Sequence, residues 1–518
     1  MNYVGTARPI HDAKGKATGY SKYAGDISLS NMAYLCMLHS KIPHGYVKAV
    51  HAEKALALPG VYGVYHCLNT SERKYNRYRS SFDQAYLANE ERAFNQYVRF
   101  VGDKIGAVAA CDQETAEKAA RLVEVEYEEL SFSIGFDDTL AGKNCLDGET
   151  PVRDEYELDV GEKQGSAEGL IEVCSTMDLP RLHHATMETH ACIADYDPYS
   201  DMLTVYCPNQ AVHGIRTVLA DFLEMPESHV RVVKATMGGS FGAKQEWFLE
   251  PVTALVAKNL CRPVKLVYSR GEAMTDTIVR GAMRMSARGY YTPDGEMKEI
   301  YCDVTLDAGA YIGNAGDYVR ALAGKPTRCY RIPYMHYHGQ VISSNSPVSG
   351  AFRSWSAAEE ALMMERQLDA AAEKLGMDRL AIRLKNVARS GEEDKKLHLS
   401  LEDIRIGDAI TLGSEKFGWD KLKAEDAAFN ASQQRYRRGV GIGIGGHGNT
   451  YFPRFNDYGE GSISLNADGS MQANFTLHDH GCGTVTAMRM IAAEVLKVPE
   501  DKIYMTEGDT AVTPIDYG

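Results

Sequence analysis

The sequence predicts a mixed α+β protein made of about three structural units. Its 518 residues exceed what one hydrophobic core usually organises, because domains of roughly 150 residues are typical. A hydrophobic content of 44% together with 24% charged residues is typical of globular proteins. Strand and helix patterns alternate along the chain, and they indicate that both kinds of element share the same units.

The first unit is identified by a strand–helix–strand pattern. Phe100–Cys111 is a short apolar run containing glycine, which is typical of a buried strand. Asp112 is a suitable N-cap for a helix over Glu114–Val123, and Val123–Tyr127 then alternates like a half-buried strand. The polar residues 139–165 are rich in Gly, Asp and Glu, so we expect a linker or a loop wrapped on the surface.

The middle of the chain carries two helical patterns. We expect helices over Ala211–Leu223 and Ala357–Leu375, and Gly376 is placed to terminate the second one. The charged run Ser390–Lys396 then separates the middle unit from a third unit.

The third unit carries two strand patterns and one helical pattern. Arg437–Gly446 and Gly461–Leu465 are predicted strands. Thr484–Val495 is a predicted helix, and Tyr517-Gly518 is expected to lie in a loop.

Charge and cysteine content exclude several functional classes. The formal net charge is −14 without a sizeable Lys/Arg cluster, which argues against nucleic-acid binding. The 11 cysteines are at least fifteen residues apart, so the chain has no spacing for a zinc ribbon, a c-type haem or its own iron–sulfur cluster. Scattered cysteines, no secretory signal and no apolar run long enough to span a bilayer lead us to expect a soluble, cytoplasmic protein without membrane insertion.

The sharpest local motif is the glycine-rich string Met237–Lys244. Its glycines permit close approach of the backbone to a bulky ligand, and consecutive N–H groups can form an anion-binding nest. The string is not a phosphate-binding Walker A loop, because the spacing differs and Gln245 follows Lys244. An ordinary glycine-rich turn between a strand and a helix would also explain it.

Three further strings each have two interpretations. Gly443–Gly448 matches a dinucleotide fingerprint, but residues 449–453 do not begin a helix, which favours a twisted or bulged strand. Gly481–Thr484 precedes a predicted helix and is either an anion site or an ordinary loop. Arg353 stands between Phe352 and Trp355, either to clamp a planar anionic substrate or to form a surface salt bridge beside core aromatics.

The order and spacing of these strings resemble one family, over essentially the whole chain. It is the large, molybdopterin-binding subunit of the xanthine dehydrogenase/aldehyde oxidase family of molybdenum hydroxylases. The matching strings are Lys16–Asp26, Leu58–Val61, Phe100–Asp103, Ala116–Tyr127, His184–His190, Asn209-Gln210, Gly238–Lys244, Ala351–Trp355, Glu365–Asn386 and Gly481–Thr486.

The resemblance implies a domain organisation and a cofactor. The domains would be an N-terminal α/β hammerhead domain (1–138), a linker (139–165), and two elongated α+β molybdopterin-binding domains (166–394 and 395–518), the second incomplete. The cofactor would be a molybdopterin-type molybdenum cofactor, with the cytosine dinucleotide form favoured. Family members hold the metal through a pterin dithiolene, with no side chain ligating it directly. They insert an oxygen from water at an electron-poor sp2 carbon, and the electrons leave through iron–sulfur clusters to a flavin or another acceptor.

The resemblance also assigns site residues. Gln210 would lie near the apical side of the metal, and Arg353 would stabilise negative charge on the substrate beside the cofactor. Phe241, Trp355 and Gln245 would form the substrate wall. The remaining cofactor contacts would come from Gly238, Gly239, Ser240, Phe241 and Gly242 at the metal end, and from Gly481, Cys482, Gly483 and Thr484 at the phosphate or nucleotide end.

Departures from the family pattern put the substrate in doubt. Gln245 replaces the Glu of purine-oxidising members, Ala351–Ser356 replaces the usual A-F-R-G-F/P-G, and Cys482 replaces a Gln. Xanthine is therefore doubtful, and we expect a nicotinate- or purine-like N-heteroaromatic substrate. Aldehyde oxidation and a non-catalytic scaffold that lacks the base are the alternatives.

The resemblance implies partner subunits as well. The family's general-base Glu follows the segment that matches Glu507–Pro514, and no residue of this sequence can be given that role. Either a second molybdopterin subunit carries this Glu, which we expect, or the sequence is part of a longer chain. An iron–sulfur subunit with two [2Fe–2S] clusters and an FAD subunit would complete the enzyme.

Overall fold

Two large sheets organise the protein in a computed structural model. The model describes residues 3–78, 89–146, 150–163, 165, 168–432, 435–448, 459–477 and 479–516. Helices and strands alternate throughout, so the predicted α+β class is confirmed. Residues 166 and 518, at which predicted domains begin and end, lie outside the described residues, as do residues 449–453 and the predicted terminal loop.

The elements follow one another along the chain in three groups. The first group is α1 (Ala13–Thr18), β1 (Ala33–His39), β2 (Gly45–His51), α2 (Glu53–Leu56), β3 (Val61–His66), β4 (Lys74–Tyr75), β5 (Glu91–Arg92), β6 (Tyr97–Val98), β7 (Lys104–Ala110), α3 (Gln113–Ala120), β8 (Glu124–Glu129) and α4 (Phe136–Leu140).

The second group is β9 (Val152–Gly161), β10 (Ile171–Leu179), β11 (Ala191–Asp197), β12 (Met202–Cys207), α5 (Val212–Leu223), β13 (Val230–Lys234), α6 (Glu250–Leu260), β14 (Val264–Val267), α7 (Arg270–Asp276), β15 (Ala282–Tyr291), β16 (Met297–Gly309), α8 (Ala315–Leu322), α9 (Pro326–Cys329), β17 (Tyr334–Ser343), α10 (Ala357–Leu375), α11 (Arg379–Asn386), β18 (Glu393–Asp394) and β19 (Leu399–Ser400). The third group is α12 (Ile406–Phe417), α13 (Trp419–Ser432), β20 (Ser462–Leu465), β21 (Met471–Phe475), α14 (Thr484–Leu496) and β22 (Ile503–Glu507).

A seven-stranded sheet joins the first and second groups. Its strand order is β13-β12-β11-β14-β1-β7-β3, and β1 pairs in parallel with β14 through Ala33 opposite Val264. One buried cluster contains side chains from both groups, among them Leu35, Val205 and Ile215. The two predicted units therefore share a sheet and a core, and the helices α5 and α6 cover the half of the sheet that leads into the glycine-rich string.

A five-stranded sheet, in the order β10-β15-β16-β17-β9, forms the second core, with α8 and α10 packed against it. Its edge strand β9 lies inside residues 139–165, so the prediction of a linker is wrong for Val152–Gly161. The polar composition was misleading because an edge strand keeps one face in solvent. Tyr156, Leu158 and Val160 form its inner face, and the polar residues between them face outward.

Most helix predictions are confirmed, together with their caps. The Asp112 carboxylate accepts a hydrogen bond from the Thr115 amide at 2.7 Å at the start of α3. Helix α10 ends at Gly376, whose φ is +64°. Helices α5 and α14 and strands β7, β8 and β20 also occur where the sequence predicts them, within a few residues at their ends.

The predicted strand Arg437–Gly446 is wrong as a paired strand. It has no ladder partner among the described residues, and the same holds for the strand expected at Gly443–Gly448. Ile442 and Ile444 nevertheless pack against the core of the five-stranded sheet, and inner and outer residues alternate from 440 to 448. The alternation of polar and apolar residues in this segment therefore indicates an extended backbone with one face packed on the core. It does not indicate pairing with a neighbouring strand, and none is seen within the described chain.

The N-terminal segment lies on the third group rather than on the first. The Tyr3 and Val4 amides both donate to Glu494 Oε2 on α14, at 2.7 and 2.8 Å, and the His11 amide donates to Thr486 Oγ1 at 2.8 Å. Tyr3 also joins the small core beneath the sheet β20-β21-β22. Throughout the described part of the chain, every helix is too short or too polar to cross a membrane.

Candidate functional site

The glycine-rich loop, residues 237–244, follows β13 and adopts a conformation that requires glycine. Gly239 and Gly242 have φ values of +96° and +98°. A Cβ on Gly242 would lie 2.5 Å from the Ala351 carbonyl oxygen, and a Cβ on Gly238 would lie 2.3 Å from the Glu188 Cβ. The loop is therefore in close contact with two other segments, and side chains at these positions would separate them.

Three consecutive amides of this loop remain available to a ligand. The Gly238 amide donates to Glu188 Oε2 at 2.7 Å, and the Gly242 amide donates to Ser240 Oγ at 3.3 Å. The amides of residues 239–241 donate to no group in the described part of the chain. Phe241 is left-handed, with φ +55°, and its side chain is 47% exposed. Successive amides without an internal acceptor are the donors that the predicted anion-binding nest requires.

Gln210 is fixed against this loop just before α5. Its amide donates to the Lys244 carbonyl oxygen at 2.9 Å, and its Oε1 accepts from Ser240 Oγ at 2.5 Å. Its Nε2 lies 3.3 Å from His480 Nε2. The side-chain amide thus lies where the glycine-rich loop meets the third group of elements.

Arg353 lies on the other side of the loop. Its amide donates to the Phe241 carbonyl oxygen at 2.8 Å, and its carbonyl oxygen accepts from Arg280 Nη2 at 2.8 Å. The guanidinium is exposed and makes no hydrogen bond or ion pair with the residues that the structure describes. The neighbouring Phe352 is held between His184, stacked at 4.2 Å, and Arg280 at 4.3 Å. The backbone at Arg353 is therefore rigidly tied while its charge stays free for an anion.

The turn after Arg353 is strained. Ser354, Trp355 and Ser356 have φ values of +81°, +33° and +69°, a left-handed conformation that residues other than glycine rarely adopt. Trp355 is half-buried and packs edge-on against Tyr318, with ring centroids 5.7 Å apart. Gln245, the third residue of the predicted substrate wall, is half-buried and makes no hydrogen bond within the described chain.

The loop of residues 481–484 already holds an anionic group. The Asp479 carboxylate accepts from the amides of Gly481, Gly483 and Val485 at 2.8, 3.2 and 3.2 Å. Burial opposes ionisation of this carboxyl, but the three amides outweigh it and hold the pKa of Asp479 below its usual value. Cys482 is exposed, with Sγ 3.1 Å from Thr484 Oγ1. Two of the four amides expected to bind phosphate, those of Gly481 and Gly483, therefore donate to Asp479 instead.

Sequence reasoning did not single out Asp479. Its signal was present, because an Asp shortly before a helix start is a common cap for the first amides of that helix.

The segment His184–His190 braces the loop, a role that the sequence analysis did not foresee. His190 Nε2 donates to the Ala243 carbonyl oxygen at 2.9 Å, and His184 Nε2 donates to the Ala351 carbonyl oxygen at 2.8 Å. Burial lowers the pKa of His190 to about 3 and that of His184 to about 4, so both rings are neutral. Glu188 Oε2 binds both the Gly238 amide and Lys244 Nζ. The H-x-x-x-E-x-H spacing was the available signal.

Comparisons with known sequences identify the domains and the family. The sequence model of the "aldehyde oxidase and xanthine dehydrogenase, a/b hammerhead domain" matches residues 18–131, and molybdopterin cofactor-binding domain models match residues 152–387 and 412–518. A probable xanthine dehydrogenase subunit of Bacillus subtilis (strain 168) is 31% identical over 524 residues, covering 99% of this chain and 67% of the relative. The chain belongs to the xanthine dehydrogenase/aldehyde oxidase family.

Two other relatives of this chain are also named as enzyme subunits. The xanthine dehydrogenase molybdenum-binding subunit of Escherichia coli O157:H7 is 29% identical, covering 98% of this chain and 68% of the relative. The nicotinate dehydrogenase large molybdopterin subunit of Eubacterium barkeri is 29% identical, covering 73% of this chain and 88% of the relative. The chain spans about two thirds of the length of the Escherichia coli and Bacillus subtilis relatives.

A solved structure shows the same fold. The quinoline 2-oxidoreductase of Pseudomonas putida 86 superposes with a TM-score of 0.88 at 23% identity, over 98% of this chain and 67% of that chain. The predicted order of a hammerhead domain followed by molybdopterin-binding domains is confirmed. The chain is a molybdenum-cofactor-binding large subunit of this family of oxidoreductases.

The residues present fit the family's cofactor at one end. The free amides of residues 239–241, the Gln210 side chain and the close glycine contacts form a cradle that a Cβ on Gly238 or Gly242 would disrupt. At the other end, a phosphate at residues 481–484 would have to displace the Asp479 carboxylate from its amide donors. The fit is therefore good at the glycine-rich loop.

Proposed function

We propose that this chain is the catalytic subunit of a molybdenum hydroxylase that inserts a water-derived oxygen at an electron-poor sp2 carbon of an N-heteroaromatic substrate. The observation that carries the proposal is the exposed Arg353 guanidinium, unpaired within the described chain and joined through its backbone to the glycine-rich loop. When bound, the molybdenum cofactor supplies the oxygen transfer and takes up two electrons. We infer that it is the cytosine dinucleotide form.

The chain's own residues would bind, orient and stabilise charge. The amides of residues 239–241 and the Gln210 side chain would hold the cofactor's metal end. As the ring carbon is attacked, negative charge develops on the adjacent ring nitrogen, and Arg353 would stabilise it. The exposed Phe241 ring would pack against the planar substrate. Gln245 would contribute a neutral amide where purine-oxidising relatives place a charge, which favours a nicotinate-like ring over xanthine.

The substrate test compares nicotinate, purines and an aromatic aldehyde on the purified, assembled enzyme. The proposal expects oxygen insertion on a heteroaromatic ring and slower or no oxidation of the aldehyde. The name of the Eubacterium barkeri relative, a nicotinate dehydrogenase subunit, supports including nicotinate. Preferential aldehyde oxidation would favour the aldehyde-oxidising alternative, and no turnover of any of them by a molybdenum-loaded enzyme would favour the scaffold alternative.

We further infer that electrons leave through an iron–sulfur subunit with [2Fe–2S] clusters and an FAD subunit. Groups of three or more His, Cys, Asp or Glu side chains that could hold a metal are absent from the described residues, and the cysteines there are unpaired. Unpaired cysteines also support a cytoplasmic location. Co-purification with stoichiometric iron, sulfide and flavin in separate subunits tests this inference. Iron and sulfide bound to this chain alone would contradict it.

The general base would come from a second molybdopterin subunit. Three carboxylates near the candidate site are engaged: Glu188 binds Lys244, Asp479 binds three amides, and Glu507 binds Lys234 at 2.7 Å. A fourth, Glu246, is fully buried, and burial raises its pKa to about 8, so at neutral pH it is mainly protonated. The extended segment 440–448 has no strand partner in the described chain and could accept one from that subunit. Glu→Gln at the partner's candidate base should abolish turnover. Full-rate hydroxylation by this chain alone, loaded with cofactor, would contradict the split site.

A further inference from the structure

Lys325 lies directly behind the strained turn that follows Arg353. Its Nζ donates to the Trp355 carbonyl oxygen at 2.5 Å and to Ser356 Oγ at 2.7 Å. Lys325 is 8% exposed, so both bonds are shielded from water. They reach two of the three left-handed residues of the turn.

The turn needs such support because its backbone conformation is unfavourable. The left-handed region is unfavourable for residues other than glycine, because the side chain crowds the backbone, and three such residues follow one another here. The upstream side of Arg353 is tied by its amide to Phe241 and by its carbonyl oxygen to Arg280. On the downstream side, Lys325 adds two side-chain hydrogen bonds to a turn that is also closed by backbone bonds, from the Trp355 amide to the Phe352 carbonyl oxygen and from the Ala357 amide to the Ser354 carbonyl oxygen.

The charges that face Lys325 come from every element around it. Glu359 and Glu360 lie on α10 and Arg328 lies on α9, while Lys396 and His447 approach from the segments after α11 and α13. Burial lowers the pKa of Lys325 to about 8, and burial raises the pKa of Glu360 to about 8. The environment thus disfavours the ammonium charge, so the protein gains little stability from burying it.

We propose that Lys325 is a positioning residue that locks the turn Ser354–Ser356 and so fixes the direction of the Arg353 guanidinium. The inference rests on the proposed role of Arg353 in substrate binding. It goes beyond that role because it makes substrate affinity depend on a lysine that does not touch the substrate. If Lys325 served folding alone, its replacement would lower the melting temperature of the protein without changing the conformation of the turn.

The first test follows the turn itself, without substrate or turnover. Acrylamide quenching of Trp355 is obtained as the difference between the full chain and its Trp355→Phe variant. Lys325→Met should raise that quenching at least twofold while leaving the melting temperature unchanged or higher, and Lys325→Arg should restore much of the protection. The matched control is Lys396→Met, a half-buried lysine that makes no bond to the turn. Unchanged quenching in Lys325→Met, or an equal rise in Lys396→Met, would overturn the proposal.

The second test is the pH dependence of the same signal. Above about pH 8 Lys325 loses its proton and becomes a weaker donor, so Trp355 quenching should rise with a midpoint near pH 8. Lys325→Met should abolish this transition, and Glu360→Gln should retain it at a lower midpoint because an acidic neighbour is lost. A transition that survives in Lys325→Met but disappears in Glu360→Gln would assign it to Glu360 and contradict the proposal.

The third test uses the assembled enzyme. Lys325→Met should lower kcat/KM about tenfold, mainly through KM, and Lys325→Arg should recover at least a third of the loss. If quenching changes as expected but kcat/KM does not, the turn is held by Lys325 and the proposed role of Arg353 is wrong. If kcat/KM falls without any change in quenching, the positioning role is wrong and the proposed function stands.

Discussion

Gly242→Ala tests whether the glycine-rich loop and the Arg353 segment depend on direct backbone contact. The new Cβ would lie 2.5 Å from the Ala351 carbonyl oxygen, 2.7 Å from its carbon and 3.0 Å from the Phe352 Cα. All three are backbone atoms and cannot rotate away. The positive φ costs about 1–2 kcal/mol and the overpacking about 1–3 kcal/mol. Alanine's smaller unfolded-state entropy returns about 0.4–1 kcal/mol, so we expect a net loss of about 1–4.5 kcal/mol.

The matched control is Gly391→Ala. Gly391 has φ +78° but no heavy atom within 4 Å of its virtual Cβ, so it carries the conformational cost without the contact. Denaturant midpoints of the first unfolding transition should fall clearly further for Gly242→Ala than for Gly391→Ala. Cofactor occupancy should fall as well, since the Phe241–Arg353 bond would be displaced. If the free energies of unfolding derived from the two midpoints agree within about 0.5 kcal/mol, the reasoning is refuted.

Four further changes have defined outcomes. Arg353→Lys keeps the charge but loses the planar fork, so steady-state assays should show turnover at least tenfold lower, about 1.4 kcal/mol of barrier, with molybdenum still bound. Asp479→Ala removes the acceptor of three amides and should weaken the start of α14, seen as faster amide exchange there, by about 0.5–2 kcal/mol. Burial raises the pKa of Glu246 to about 8, so the free energy of unfolding should fall from pH 4.5 to 8 and Glu246→Gln should remove that part of the slope. Glu494→Gln should speed hydrogen exchange of the Tyr3 and Val4 amides, and unchanged exchange would contradict this prediction. Because those amides hold the pKa of Glu494 below its usual value of 4.5, acid should weaken their bonds to Glu494 only below pH 4.5.

The sequence predicted the elements whose stability is local. Helix α3 has its Asp112 cap and α10 has its Gly376 stop, and both were placed correctly because caps are encoded within a few residues. Strand β9 was missed because its polar face lies in solvent, so that its pairing with β17 decides its structure. The sharing of one sheet by β1 and β14, which pair at Ala33 and Val264 far apart in the chain, left no local signal at all.

The candidate site shows the same division. The glycine-rich loop could be predicted because its positive φ values require glycine, which is visible in the sequence. Asp479 was missed although an Asp shortly before a helix start is a recognisable cap signal. Lys325 could not be found, because its partners, the Trp355 carbonyl oxygen and the Ser356 hydroxyl, lie 30 and 31 residues away in the chain. The left-handed turn at Ser354–Ser356 was hidden for the opposite reason: serine and tryptophan occupy a conformation that their residue types do not indicate.

The central claim is that the glycine-rich loop holds a molybdenum cofactor, and molybdenum analysis combined with pterin release tests it most directly. The measurement is made on the complex purified from a host that makes the cofactor, with Gly242→Ala beside the unchanged chain. The account predicts about one molybdenum and one pterin per chain, with both reduced in step in the variant. A folded complex that contains neither, or a variant with unchanged occupancy of both, would contradict the account.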